Sequence, residues 1–103
     1  MAYSVLFAQA AEEDRDRIVD YLLCDLDNRQ AALHFLGQVD SVTESLESFP
    51  LAFPKCEEPR LDALGYRKAS FSEMNYIVVF KITGLVVVVA RIFHTRQDYA
   101  RLI

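Results

Sequence analysis

The stretch YRKASFSEMNYIVVFKITGLVVVVARIF, residues 66–93, decides the fold of this chain. Tyr66 to Phe71, Asn75 to Ile82 and Val86 to Phe93 are rich in β-branched and aromatic residues and read as three strands. Ser72-Glu73-Met74 and Thr83-Gly84-Leu85 leave room only for tight reversals, so the strands form two antiparallel hairpins. Closing them at these turns makes opposed positions sum to about 147 in the first pair and about 168 in the second. One face then carries Ala69, Phe71, Tyr76, Val78, Phe80, Ile82, Val86, Val88, Ala90 and Ile92, and this apolar face is expected to meet helices. The other carries Tyr66, Lys68, Ser70, Ile77, Val79, Lys81, Val87, Val89, Arg91 and Phe93, and is expected to stay open. Its three cations suit a binding surface, or equally the ordinary solvent side of an antiparallel sheet.

Upstream, Ala2 to Phe7 alternates as a short strand, and from about Gln9 the period becomes helical. Glu12, Glu13 and Asp14 fall in the first turn, where the helix dipole favours them. Ile18, Val19, Leu22 and Leu26 form one apolar stripe, with Arg15, Asp16, Arg17 and Asp20 on the wet side. The pattern breaks at Asp25 to Asn28, and Asn28 is suited to cap the next helix. There Ala32, Phe35, Val39, Val42, Leu46 and Phe49 recur at spacings of three and four, a seam that Pro50 ends. Gly37 inside it costs about 1 kcal/mol relative to Ala unless it allows close contact with the first helix. The linker is short, so the two helices pack antiparallel. Leu51 to Leu64 has no period and reads as a surface loop. The order β-α-α-β-β-β defines an α+β fold, in which an N-terminal strand and an antiparallel helical hairpin pack on one face of an antiparallel sheet, as a single domain over residues 1–103.

Composition narrows the function. At 103 residues, 52% hydrophobic and with 3 Gly and 3 Pro, the chain is neither disordered nor low in complexity. A domain of this size buries about 65% of its unfolded surface and needs no disulfide or metal staple. Cys24 is expected to be a small buried or half-buried apolar residue inside the first helix and Cys56 a loop thiol. The longest apolar run, Leu85 to Ala90, is far below the roughly 18 residues of a membrane span. No leader pattern precedes the first strand, so a soluble cytoplasmic protein without membrane partners is expected. The net charge of −4 argues against indiscriminate nucleic-acid coating. It divides unevenly, with three basic against ten acidic residues in 1–50 and eight against five in 51–103, and the basic half is the expected functional half.

The chemistry-bearing residues gather late in the chain. His94, with Arg91 and Arg96 nearby, suits a general acid or base at a phosphodiester whose charge the arginines hold. More commonly such a histidine only hydrogen-bonds the sheet edge or, here, Asp98. His34 reads as a helix-surface residue. No ligand spacing for a metal and no Gly-rich phosphate loop occurs, so neither metal nor cofactor is expected.

Several local motifs, in order, resemble the RelE/ParE superfamily of bacterial toxins over nearly the whole chain. They are Phe7-Ala8-Gln9-Ala10-Ala11-Glu12-Glu13-Asp14, Ile18-Val19-Asp20-Tyr21, Ala31-Ala32-Leu33-His34-Phe35, Ser48-Phe49-Pro50, Leu64-Gly65-Tyr66-Arg67, Asn75-Tyr76-Ile77-Val78 and Arg91-Ile92-Phe93-His94-Thr95-Arg96-Gln97-Asp98-Tyr99. The resemblance implies the toxin of a type II toxin–antitoxin pair, with a cognate antitoxin as partner in a homodimeric or heterotetrameric assembly. The antitoxin is expected to approach an apolar patch with a cationic rim through an acidic or amphipathic segment that folds on binding. Nuclease members cleave mRNA on the ribosome, which would assign catalysis to Lys68, Lys81, Arg91 and His94. Where they carry an arginine near the start of the Asn75–Ile82 strand, this chain has Tyr76 or Ile77, and Thr95 follows His94 where one nuclease branch has a tyrosine. The ParE branch shares the long helical hairpin, the Asn-Tyr strand opening and the His-x-Arg ending. This branch implies binding and poisoning of DNA gyrase, with Arg67, Lys68, Arg91, His94, Arg96 and Tyr99 as the target-binding face, and a sequence pI near 5.0 suits it better than RNA gripping. A chain that only binds its antitoxin is the third reading.

Overall fold

In the computed structural model, which describes residues 2–103, the chain runs through β1 (Ser4–Phe7), α1 (Gln9–Asp20), a wide π-helical turn (Tyr21–Asp25) and α2 (Arg29–Ser48). It continues through a 3-10 turn (Pro50–Ala52), α3 (Pro59–Ala63), β2 (Tyr66–Ser70), β3 (Tyr76–Thr83), β4 (Val86–His94) and a last 3-10 turn (Tyr99–Arg101). The four strands form one sheet in the order β1-β4-β3-β2. Both expected hairpins are antiparallel, while β1 joins β4 in parallel from Ser4 opposite Val86 to Phe7 opposite Val89, so the sheet is mixed rather than wholly antiparallel.

Register decides which residues face the helices. The first hairpin pairs Tyr66 with Lys81, as expected. The second turns over two residues, Gly84 and Leu85, and Gly84 takes a φ of +60° at the first of them, the conformation a type II′ turn demands there. Thr83 therefore pairs with Val86 and Phe80 with Val89, one residue away from the register expected of a three-residue turn. A bulge leaves Ala90 unpaired, and the alternation resumes with Val79 opposite Arg91 and Val78 opposite Ile92. Val87 and Val89 thus point into the helix-side core, fully buried, whereas Val86 and Val88 lie on the other face. This reverses the assignment of those four residues.

The seam of α2 buries Ala32, Phe35, Val39, Val42 and Leu46 against Val78, Phe80, Val87, Val89 and Ile92. Phe49 falls outside it, 69% exposed, because the backbone leaves the helix there at φ −139°. Leu26 is also exposed although Leu22 is buried, since the wide turn after Asp20 changes the angular phase of the stripe. The Asn28 side chain caps α2, accepting from Ala31 N at 3.0 Å. A Cβ at Gly37 would meet nothing within 4 Å, so that glycine serves no close helix contact.

The second face of the sheet is not open. Ile77, Val79 and Phe93 form a second core there with Cys56 and Leu61, flanked by Tyr66, Tyr99, Ala100 and Ile103. The segment read as a plain loop supplies this cover because Pro59 opens α3 and Glu58 caps it, accepting from Leu61 N at 3.0 Å. Cys24 is exposed on the wide turn rather than buried, and Cys56, in the loop as expected, is buried in the second core. Burial raises the Cys56 thiol above its ordinary pKa of 9.0, against the opposing charge of Lys68, so it stays a protonated packing residue.

The register makes a direct prediction. Val89→Ala should cost about 2 kcal/mol and Val88→Ala less than about 1 kcal/mol, from the difference in apolar burial. Urea unfolding of the two variants checks it, and the reverse ranking would contradict the register set by the two-residue turn at Gly84-Leu85.

Candidate functional site

Past Val89 the edge of β4 loses its neighbour. Phe7 is the last paired residue of β1, Ala8 N donates to Val89 O at 2.9 Å, and the chain then turns into α1. The Ile92 N–H would be left bare, and Asp14, one turn into α1, accepts it through Oδ2 at 2.9 Å. The same carboxylate accepts from Arg91, Nε to Oδ2 at 2.7 Å and NH2 to Oδ1 at 3.0 Å, in bidentate geometry. Arg17 NH1 donates to Oδ1 at 3.1 Å, and Asp14 is only 1% exposed. Burial pushes the carboxyl up, but the Arg91 hydrogen bonds, the Ile92 N–H, the Arg91 charge and Arg17 together outweigh it, and the result lies below the ordinary 3.8. Arg91 also donates NH1 to Leu102 O at 3.0 Å and lies over the Phe93 ring at 4.9 Å.

The residues singled out from the sequence do not converge. Lys68, Lys81, Arg91 and Tyr99 belong to the second face: Lys68 Nζ is 3.7 Å from Glu57, Lys81 Nζ lies 5.1 Å over Tyr66, and Tyr99 stacks on Phe93 at 6.1 Å. Arg67, paired with Phe80 on the helix side, donates NH1 to Phe53 O at 2.7 Å and so fastens the chain before α3. His94, paired with Tyr76, also lies on the helix side. Arg96 is exposed in the turn after β4. A cationic cluster around His94 is therefore not formed.

His94 opens instead on a groove of about 790 Å³ at the tip of the helical hairpin. Tyr76, His94 and Gln97 form one wall, and the opposite wall is the end of α1 and the wide turn, with Ile18, Asp20, Tyr21, Cys24 and Asp25. The imidazole sits edge-on to Tyr76 at 5.2 Å. Its Nδ1 accepts from Arg96 N at 3.1 Å, and its backbone N–H donates to Gln97 Oε1 at 2.8 Å, so the neutral ring carries its proton on Nε2. Neither the sheet edge nor Asp98 is its partner. Arg17 also lines this groove: its guanidinium, 67% exposed, makes one contact to an Asp14 that Arg91 already neutralises, so the groove carries this cation beside the carboxylates of Asp20 and Asp25, which form no ion pair among the described residues. Burial, with Tyr21 adding to it, raises the Tyr76 phenol above its ordinary 10.0. No group of three or more His, Cys, Asp or Glu among the described residues is placed to hold a metal ion.

Sequence reasoning missed Asp14, Tyr21, Asp20 and Asp25 as parts of a site. Asp14 reads from the sequence as one more acidic residue near the start of α1; its only sequence signal is Arg17 three positions on, which is common on solvated helices.

The chain thus joins a strand, a helical hairpin and a three-stranded meander through a parallel β1–β4 pair. A family described as "ParE toxin of type II toxin-antitoxin system, parDE" matches residues 5–99, and the chain belongs to it. A solved structure described as "Chromosomal ParDE TA system from P. aeruginosa" has the same fold, with a TM-score of 0.74 at 18% identity over 92% of this chain and 98% of that one. No curated protein sequence matches this chain.

The clamp on Asp14 predicts acid sensitivity. A carboxyl whose folded pKa lies below its unfolded one stabilises fully above the ordinary aspartate value of 3.8, and that contribution is lost as pH falls through the lower folded value. Asp14→Asn should lower stability at pH 7 by about 3–5 kcal/mol, as expected for removing one member of a buried ion pair. It should also flatten the acid limb of a stability–pH profile measured by urea unfolding. An unchanged acid limb would show that other carboxyls carry it.

Proposed function

We propose that this chain arrests growth by binding DNA gyrase, acting in the cytoplasm as a protein-binding toxin rather than as a nuclease, and that a cognate antitoxin neutralises it. The observation that carries this reading is the state of Arg91. Its guanidinium is held by Asp14 on one side and by Leu102 O on another, so it is a structural cation with little charge to offer a phosphodiester. His94 is on the opposite face of the sheet from Lys68 and Lys81 and shares its groove with Asp20 and Asp25. An RNA phosphate entering there would meet two carboxylates beside the single guanidinium of Arg17, where cleavage requires a cluster of cations. Binding to a protein target makes no such demand.

The antitoxin follows from the family, whose members are described as toxins of type II pairs. Exposed apolar side chains available to such a partner include Leu6, Leu85 and Leu102 near the second face and Leu33 and Leu36 on the outer side of α2. An antitoxin segment that folds onto them would bury surface that the toxin alone leaves wet. The assembly expected is a heterotetramer, or a homodimer of the toxin.

Expression without antitoxin tests the reading. Arrested cells should contain gyrase-trapped DNA breaks and uncut mRNA. Codon-specific mRNA cuts with intact DNA topology would overturn it in favour of an endoribonuclease, and undisturbed growth would leave only antitoxin binding. His94→Ala should reduce toxicity by less than about 10-fold, whereas removal of an acid–base catalyst would cost about 10²–10⁴-fold.

A further inference from the structure

The cover of the second sheet face changes character after Gln97. The turn from His94 to Gln97 is closed by its own bonds: Gln97 N to His94 O at 3.0 Å, Arg96 N to His94 Nδ1 at 3.1 Å and His94 N to Gln97 Oε1 at 2.8 Å. Thr95 N ties that turn to Asn75 O at 2.9 Å. Beyond it, among the described residues, no backbone–backbone hydrogen bond joins residues 98–103 to the rest of the chain. Arg101 N to Asp98 O and Leu102 N to Tyr99 O stay inside the segment.

Two guanidiniums and three side chains hold these six residues. Arg60 donates NH2 to Ala100 O at 2.5 Å and reaches Ile103 O at 3.4 Å, and Arg91 donates NH1 to Leu102 O at 3.0 Å. Tyr99 stacks on Phe93, and Tyr99, Ala100 and Ile103 pack on the second core while only partly buried. The two anchors differ. Arg91 is fixed by Asp14 whether or not the segment is in place. Arg60 is exposed on α3 and forms no ion pair among the described residues, so the segment's carbonyls are the acceptors it serves.

The floor beneath is held far more firmly. β4 is bonded to β3 on one side and to β1 and then Asp14 on the other, whereas the segment is attached by side chains alone. Such a segment separates at a lower free energy than the strands it covers. Burial of the floor residues Ile77, Val79 and Phe93 favours closure, and the entropy of ordering six residues opposes it.

We infer that residues 98–103 are a strap that opens as one unit about the His94–Gln97 turn while the sheet stays folded, and that Arg60 is the latch that sets the open fraction. Opening uncovers the apolar floor around Phe93, with Arg91 still clamped to Asp14 at its rim. The second face is therefore closed in the resting chain and offered by a minor state. Any ligand of that face binds with its affinity scaled down by the open fraction. The inference concerns a motion of this chain and is independent of the toxin's target.

NMR relaxation dispersion on the full-length chain tests it on the microsecond-to-millisecond timescale. The amides of Tyr99, Ala100 and Leu102 and the ring of Phe93 should share one exchange rate, while the amides of Val78, Val87 and Ile92 stay flat. Arg60→Gln should raise the open fraction about 10-fold, the effect of losing charge-assisted hydrogen bonds, and Arg60→Lys, a cation with fewer donors, should lie between. Nile red fluorescence should rise with the open fraction as the floor is uncovered. Should Arg60→Gln not fold, Tyr99→Ala, which removes the stacking on Phe93, takes its place with the same expected direction. A segment without dispersion, dispersion shared equally by the strand amides, an open fraction that the folded variant leaves unchanged, or opening without added dye binding would each overturn the inference.

Discussion

The carboxylate of Asp14 organises this molecule. β1 is four residues long and β4 nine, so the parallel pairing ends while β4 still has half its length to run. An edge that is bare and buried would carry an unsatisfied N–H, at a cost of about 1–3 kcal/mol. Asp14 closes it by taking the place of a missing strand residue at Ile92 N. A buried carboxylate is itself expensive, and the bidentate Arg91 offsets that cost. Through Arg91 the clamp extends to Leu102 and so ties the first helix, the central strand and the C-terminal tail together. One acidic side chain thus fixes how α1 sits on the sheet and removes a cation from the surface.

Charge consequently means something different from what the bare distribution suggests. The basic half of the sequence reads as a cationic working face, yet Arg67 fastens Phe53, Lys68 lies near Glu57, Arg91 is clamped by Asp14, and Arg60 donates to the tail at Ala100 O. These cations hold the segments that cover the second sheet face. The groove that remains is built mainly by the acidic half, where the wide turn meets the end of β4. Family membership and the lack of a free phosphate-binding cluster are therefore consistent with each other.

Much of the fold was legible because its signals are local. The Asn28 cap, the seam from Ala32 to Leu46 and the three alternating strands each arise from neighbours in sequence. The one-residue shift at Val86 to Val89 arises from a two-residue turn at Gly84-Leu85, and its end at Ala90 from a bulge; a run of four valines carries no period that could reveal either. Leu26 leaves the buried stripe because a π-helical turn shifts the stripe's angular phase while leaving its composition unchanged. The site was less legible than the fold. Arg91 and His94 share one motif three positions apart but point to opposite faces of β4, and Asp14 reaches Arg91 across 77 positions that no spacing rule connects.

The central claim is that Arg91 belongs to the fold through Asp14. A double-mutant cycle of Asp14→Asn and Arg91→Gln, read by urea unfolding at pH 7, measures it most directly. A shared clamp predicts strong non-additivity, with a coupling of about 1.5–3 kcal/mol. Additive effects with no coupling would contradict it and return the Arg91 guanidinium to the surface as a free cation.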